Sequence, residues 1–283
     1  DGDSDLVADY SVLEGSSDNG RVVLAKLHSS WALFKKIKMK IKLKQGRIIG
    51  IEDKSLEPTL PNSDLSFVED KDLYKEIRNY IKSDHRNLEN QLTFQNRVMR
   101  GSNPYLAVAV DMFLKENYPQ YRLARQIDSE KNLDLTRGTW NDSGLALRNL
   151  ENSNSEKAQY LFNQLSSRGI SEKDFPLFIE LRDLKLDENL NFNLTENSSY
   201  TTAECLNWNS KERYSKINKF GLPKEIDKNS NRQIWTSNSA LCRVYLNRNS
   251  NLYAVDSDLE GSVDGGRVVL AKLHSSWALF LIL

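Results

Sequence analysis

Residues 247–280 read NRNSNLYAVDSDLEGSVDGGRVVLAKLHSSWALF, and the same frame stands at the other end of the 283-residue chain, where residues 1–34 read DGDSDLVADYSVLEGSSDNGRVVLAKLHSSWALF. The copies align without a gap, and from Gly20 and Gly266 onward they are identical. Ten positions differ, all of them earlier: Asp1/Asn247, Gly2/Arg248, Asp3/Asn249, Asp5/Asn251, Val7/Tyr253, Asp9/Val255, Tyr10/Asp256, Val12/Asp258, Ser17/Val263 and Asn19/Gly265. Leu252, Ala254 and Leu259 recur unchanged, alternating with or bracketing the varied positions. Alternation of this kind suits a strand with one buried face. An inward-facing frame with outward-facing varied side chains is therefore expected over residues 247–265, with Gly266, Arg267, Val268, Val269 and Leu270 as a closing core strand.

The chemistry of the exchanges matters more than their number. Asp for Val, Tyr for Asp and Gly for Arg alter charge, volume and polarity together, whereas packing drift favours replacements that conserve volume. A drifting surface would show Lys, Glu and Gln, and none stands at the ten positions. The residues that do stand there are Asn, Asp, Gly, Arg, Val, Tyr and Ser. Each is reached from an Asn codon by replacing only its adenines. The pattern points to adenine-directed mutagenesis of an Asn-rich template.

At these residues the chain resembles the variable proteins of diversity-generating retroelements, in which an error-prone reverse transcriptase rewrites the 3′ end of a target gene. The resemblance is strongest over residues 232–272, RQIWTSNSALCRVYLNRNSNLYAVDSDLEGSVDGGRVVLAK, and looser over residues 103–208. It implies a C-type-lectin fold related to formylglycine-generating enzymes, and a protein that binds ligands rather than one that catalyses. It also implies that the working surface comprises Asn247, Arg248, Asn249, Asn251, Tyr253, Val255, Asp256, Asp258, Val263 and Gly265. Tyr supplies rigid contact area, small polar residues supply adaptable hydrogen bonds and Arg supplies charged anchors, so Tyr253 and Arg248 are the expected hot spots. The implied partner is a protein or other surface ligand.

Composition agrees with a binding module. Thirty-nine basic and thirty-nine acidic residues balance, so no overall field recruits nucleic acid or an anionic membrane. The two cysteines, Cys205 and Cys242, are too few for a secreted disulfide framework, though they could form one bridge. No signal peptide or spanning segment is visible, and the C-terminal WALFLIL is far too short to cross a bilayer. Localisation stays open.

Between the copies the chain reads as α+β, a helical half followed by an irregular antiparallel β region. The first Met is Met39, and residues 1–38 read as the copied tail of an adjacent gene rather than as a domain. Residues 39–69 are expected to form a strand and linker, and the stretch 35–47 that runs into them alternates Lys with Ile, Met and Leu. Residues 70–186 form a helical scaffold and residues 187–283 the C-type-lectin-like variable region, with residues 70–283 as one domain. Helical spacing places Leu73, Ile77, Tyr80 and Ile81 on one face, and Ala158, Leu161, Phe162 and Leu165 on another. Asn103-Pro104 opens a buried helix that Tyr118-Pro119 stops. Ser171 and Asp174 can cap a further helix with Phe175, Phe178 and Ile179 facing inward. Leu190, Phe192 and Leu194 alternate with Asn as a half-buried strand. Further short strands are expected at Cys205, Ile234-Trp235, residues 244–246 and residues 268–270.

Other motifs carry less. Asp1, Asp3, Asp5 and Asp9 resemble a calcium loop, but the sixth and twelfth positions hold Leu6 and Val12 where Gly and Glu belong. Trp140, Asp142 and Arg148 could make a polar site, and a buried structural ion pair accounts for them more simply. Of three histidines, His28 and His274 occupy one repeat position and His85 sits among charges, the setting of a solvated surface ring. No Gly-x-Ser-x-Gly, P-loop, CxxC or HExxH occurs. No cofactor and no metal are expected. Two alternatives stay open: a structural or adhesin-type repeat protein, and an enzyme on the formylglycine-generating fold, which would need Cys205 and Cys242 as a reactive pair.

Overall fold

The computed structural model describes residues 65–209, 211–255, 258–262 and 265–273, together with the backbone of four strands among residues 1–64. Contacts divide the chain into two units, Asp1–Pro58 and Thr59–Leu283. In the first, β1 (Asp9–Leu13) pairs antiparallel with β2 (Val22–Lys26), and β3 (Met39–Lys44) with β4 (Arg47–Asp53). Apart from these strands, the segment read as a copied tail lies outside the described residues, as does WALFLIL. The aspartates of the calcium-like loop share that fate as far as their side chains go.

The second unit mixes helices and sheets. It runs β5 (Leu65–Phe67), α1 (Lys71–Asp84), β6 (Thr93–Gln95), β7 (Val98–Arg100), α2 (Pro104–Asn117), β8 (Tyr121–Leu123), α3 (Gln126–Lys131), α4 (Leu133–Thr136) and β9 (Asn141–Leu147). There follow α5 (Ser155–Ser166), β10 (Leu177–Glu180), β11 (Leu184–Leu186), β12 (Phe192–Leu194), β13 (Tyr200–Thr202) and β14 (Glu212–Arg213). The last strands are β15 (Gln233–Thr236), β16 (Leu241–Leu246), β17 (Leu252–Val255) and β18 (Val269–Lys272).

The helices start where side chains satisfy their open N–H groups. Asp70 caps α1, its Oδ1 accepting from the amides of Asp72 and Leu73 at 2.7 and 3.0 Å. Asn103 caps α2 by accepting from the Leu106 amide at 2.8 Å, and Pro104 follows at the first helical turn. Apolar on almost every side, α2 is buried along most of its length. A helix of that kind belongs inside a domain. Its buried carboxylate, Asp111, is held by Arg122 at 3.2 Å and by the amides of Leu123 and Asp183.

A seven-stranded sheet in the order β13-β10-β9-β16-β17-β15-β14 forms the centre. Its pairings are antiparallel except β15 with β17, which run parallel. One face packs Leu145, Leu147, Ile179 and Leu241 into the larger core with α2. Ala146, Phe178, Cys242, Val244, Leu252 and Ala254 point into a second core with Cys205, Leu206, Tyr214 and Leu222. Gly144 permits the close approach of β9 and β10, because a Cβ there would lie 2.1 Å from the Phe178 ring. A three-stranded antiparallel sheet, β5-β18-β8, closes the unit.

Three local readings need correction. Ser171 and Asp174 do form a capping box, but it opens only a 3-10 turn over Glu172–Asp174 before β10 begins at Leu177. Pro176 is the reason: it lacks an N–H and pushes Phe175 out of the helical region. Cys205 lies in a 3-10 turn, Glu204–Asn207, and not in a strand. Leu190 adopts φ +58 in a turn, so only Phe192–Leu194 remains of the longer strand. Nor is the 70–186 segment purely helical. It supplies β10 and β9 to the main sheet, β9 lying beside β16.

Candidate functional site

Leu252 and Ala254 are fully buried in the second core. Period-2 geometry therefore sets Asn251, Tyr253 and Val255 on the opposite face of β17, where each is half-buried. Register brings Tyr253 opposite Tyr245 on β16 and Trp235 on β15. The three rings stack across the strands: Tyr253 lies 5.6 Å from Trp235 at 8° and 5.2 Å from Tyr245 at 22°. Lys211 Nζ stands 5.0 Å over the Trp235 ring, and the Arg243 guanidinium 5.0 Å from the Tyr245 ring. A cation thus closes each end of an aromatic ladder, the arrangement that ring quadrupoles favour.

The turn before β17 divides its residues between holding and display. Asn247 Oδ1 accepts from the amides of Asn249 and Asn251 at 3.0 Å each, and Asn251 Oδ1 accepts from the Gln233 amide at 2.8 Å. The Asn247 contacts close a local Asx-type turn on the side chain's own backbone, whereas the Asn251 contact reaches across to the start of β15. Invariant Ser250 is buried, while Arg248 and Asn249 are exposed. The Arg248 guanidinium lies 5.4 Å from the ring of Trp140, and the Arg248 carbonyl accepts from the Gly138 amide at 2.8 Å.

Beyond β17, Asp258 is exposed and its Oδ1 accepts from the amides of Glu260 and Gly261 at 3.0 and 2.8 Å. Leu259 is buried beside it. Gly265 sits against Trp140 so closely that a Cβ would lie 2.3 Å from ring Cζ3. Asp256 and Val263 lie outside the described residues. Five of the eight described varied positions gather in two groups, with Asn247, Asn249 and Asp258 in the flanking turns. Asn251, Tyr253 and Val255 share the open sheet face, and Arg248 and Gly265 converge on Trp140.

Two buried ion pairs hold this surface from beneath. Arg243 grips Asp142 through Nε at 2.7 Å and Nη2 at 2.6 Å, and its Nη1 donates to the Gly261 carbonyl at 2.8 Å. It thereby ties the Asp258 turn to the sheet. Arg232 grips Glu130 at 2.5 and 2.9 Å while its Nε donates to the Ser250 carbonyl at 2.8 Å, fixing the turn before β17. Burial raises the Glu130 carboxyl above its usual range, opposed by Arg232, Tyr214 and Gln126. Trp140, Asp142 and Arg148 do not act together. Asp142 belongs to Arg243, Trp140 to the Arg248 turn, and Arg148 keeps Nε and Nη1 buried without a hydrogen bond among the described residues.

Trp235, Tyr245 and Lys211 escaped the sequence reading because they lie outside the repeat. The signal that could have found them is period 2 on the flanking strands, but it needs the strand order. Cys205 and Cys242 are both buried in the second core, and burial pushes the Cys205 thiol up to about 12. Such a thiol stays protonated near neutrality and packs as a small apolar group. Among the described residues, no group of three or more His, Cys, Asp and Glu is placed to hold a metal ion, and no helix is long and apolar enough to cross a membrane. An open cavity of about 420 Å³ lined by Leu150, Ser155, Glu156, Gln159, Tyr160 and Asn163 contains none of the ten varied positions. No protein-family model, curated protein or solved structure matches the chain.

Proposed function

We propose that the chain is a hypervariable binding protein of the retroelement-diversified kind, which recognises a protein or other surface ligand through the face built on residues 247–265. One observation carries the reading. Along this segment, every described residue that is buried is common to both copies (Ser250, Leu252, Ala254, Leu259 and Gly266), and every differing residue described is exposed or half-buried, as are the common Glu260, Gly261 and Ser262 of the turn. Substitution confined to residues reachable by adenine replacement is then tolerated because it spares the frame. Tyr253, Arg248 and Asn249 lead the contact surface, with Asn247, Asn251, Val255, Asp258 and Gly265 shaping it. The same reading assigns residues 187–283 a C-type-lectin-like arrangement and gives the protein no catalytic role.

The test is genomic. The locus should hold a reverse-transcriptase gene and a template copy of this segment with Asn codons at most of the ten positions, and mismatches between copy and gene should fall on template adenines. Mismatches spread evenly over all four bases would defeat the proposal.

A further inference from the structure

Trp235 carries a donor that the fold leaves idle. Its indole Nε1 is buried and makes no hydrogen bond among the described residues, although a buried N–H without an acceptor bears the full desolvation cost of that group. A second idle group stands beside it. The Lys211 ammonium lies 5.0 Å over the same ring and makes no ion pair among the described residues. Lys211 is exposed, just ahead of β14, the last strand of the main sheet. Its acidic neighbour cannot serve it. Glu212 pairs in register with Ile234, which is buried in the second core, so alternation sets Glu212 on the face opposite Trp235.

The backbone at Lys211 adds a third observation. Its φ is +76, in the left-handed region that a residue with a Cβ avoids, and its amide donates to the Ile234 carbonyl at 3.0 Å. Glycine would make that turn without strain. Backbone strain held at a charged side chain is characteristic of ligand clamps.

We propose that Lys211 and Trp235 form a carboxylate clamp at the fixed edge of the variable face, and that the partner presents an aspartate or glutamate side chain to it. The incoming carboxylate draws the exposed lysine aside from the ring, then takes the indole N–H on one oxygen and the ammonium on the other. The donor count selects the ligand: two oxygens sharing one charge match one N–H and one ammonium, whereas a phosphate brings more charge and three acceptor oxygens. Stacking on Tyr253 at 8° fixes the direction of the indole donor. Both clamp residues lie outside the repeat. Resting on the retroelement reading, this gives every diversified version one common requirement, while Tyr253 and Val255 choose among acidic partners.

Proton–nitrogen NMR of the full chain reads the clamp at its own atom. Of the five tryptophans, the indole resonance missing from Trp235→Phe is the probe, and that variant keeps a ring in the stack. Sodium acetate exchanged for chloride at constant ionic strength should shift it downfield, with a dissociation constant in the millimolar range that suits a single carboxylate contact. Hexaglutamate should give the same shift at lower concentration, and hexaglutamine none. Lys211→Gly should weaken acetate binding by at least about tenfold, the loss of one charged hydrogen bond. It should leave the thermal midpoint unchanged or higher, because glycine accepts φ +76. The proposal is overturned if the Trp235 resonance stays still, moves as far with hexaglutamine, or responds more strongly to inorganic phosphate than to acetate. It is equally overturned if Lys211→Gly binds acetate as the parent does. A still resonance in a chain whose locus holds the template would sink the clamp alone, and acetate binding in a chain whose locus lacks one would sink only the retroelement reading.

Discussion

His85, at the end of α1, is only 7% exposed, and neither ring nitrogen finds a hydrogen bond among the described residues. Burial holds its pKa below the usual 6.5, with Asp84 opposing. Because the folded value lies below the unfolded one, the neutral ring's contribution is full above 6.5 and is lost as the pH falls toward the folded value. Urea unfolding should show stability declining as the pH falls below about 6.5, and His85→Phe should flatten that decline relative to the parent. Charged neighbours, Asp84 and Arg86, give this ring the sequence signature of a solvated one. Tyr80, which presents an edge 6.0 Å away, covers it instead. Tyr253, proposed above as a contact residue, also has a structural role as the middle ring of the ladder. Tyr253→Val, the residue of the other copy, should lower stability by about 1–2 kcal/mol in thermal melts, from two lost ring pairs.

Elements couple these residues through their partners. Gly265→Asn should cost about 1–3 kcal/mol by overpacking against Trp140. In a Trp140→Ala background that cost should vanish, and a double-mutant cycle in urea measures the coupling. Arg243 joins β16, β9 and the Asp258 turn, so Arg243→Met should destabilise by about 3–5 kcal/mol, leaving Asp142 charged and buried. Adding Asp142→Leu should recover much of the loss. What the sequence made legible at this scale was alternation: Leu252 and Ala254 fall inward because a strand has period 2. Hidden from it was the neighbourhood. Nothing local tells that β15 lies parallel to β17, and only that pairing sets Trp235 beside Tyr253. The Ser171 turn failed for the opposite reason, since a correct local cap was overruled by Pro176 two residues after Asp174.

At the scale of the molecule, two cores share one sheet, and both thiols lie in the smaller. Cys205 and Cys242 should react with an aromatic disulfide reagent only as fast as the chain opens, so their labelling rate should rise in step with urea-induced unfolding. The mixed α+β character was legible from the order of helical and alternating patterns. The way β9 and β10 join strands from the other end of the chain was not, because contacts of long sequence separation leave no periodic trace. β17 is an interior strand whose backbone is engaged by β16 on one side and β15 on the other. Exposed strand edges recruit other chains through their unpaired amides and carbonyls. At an edge, a Val or Tyr drawn at position 253 or 255 would help make a sticky template. Inside the sheet there is no free ladder to copy, so even the most β-prone outcomes at these positions leave the chain able to stay single.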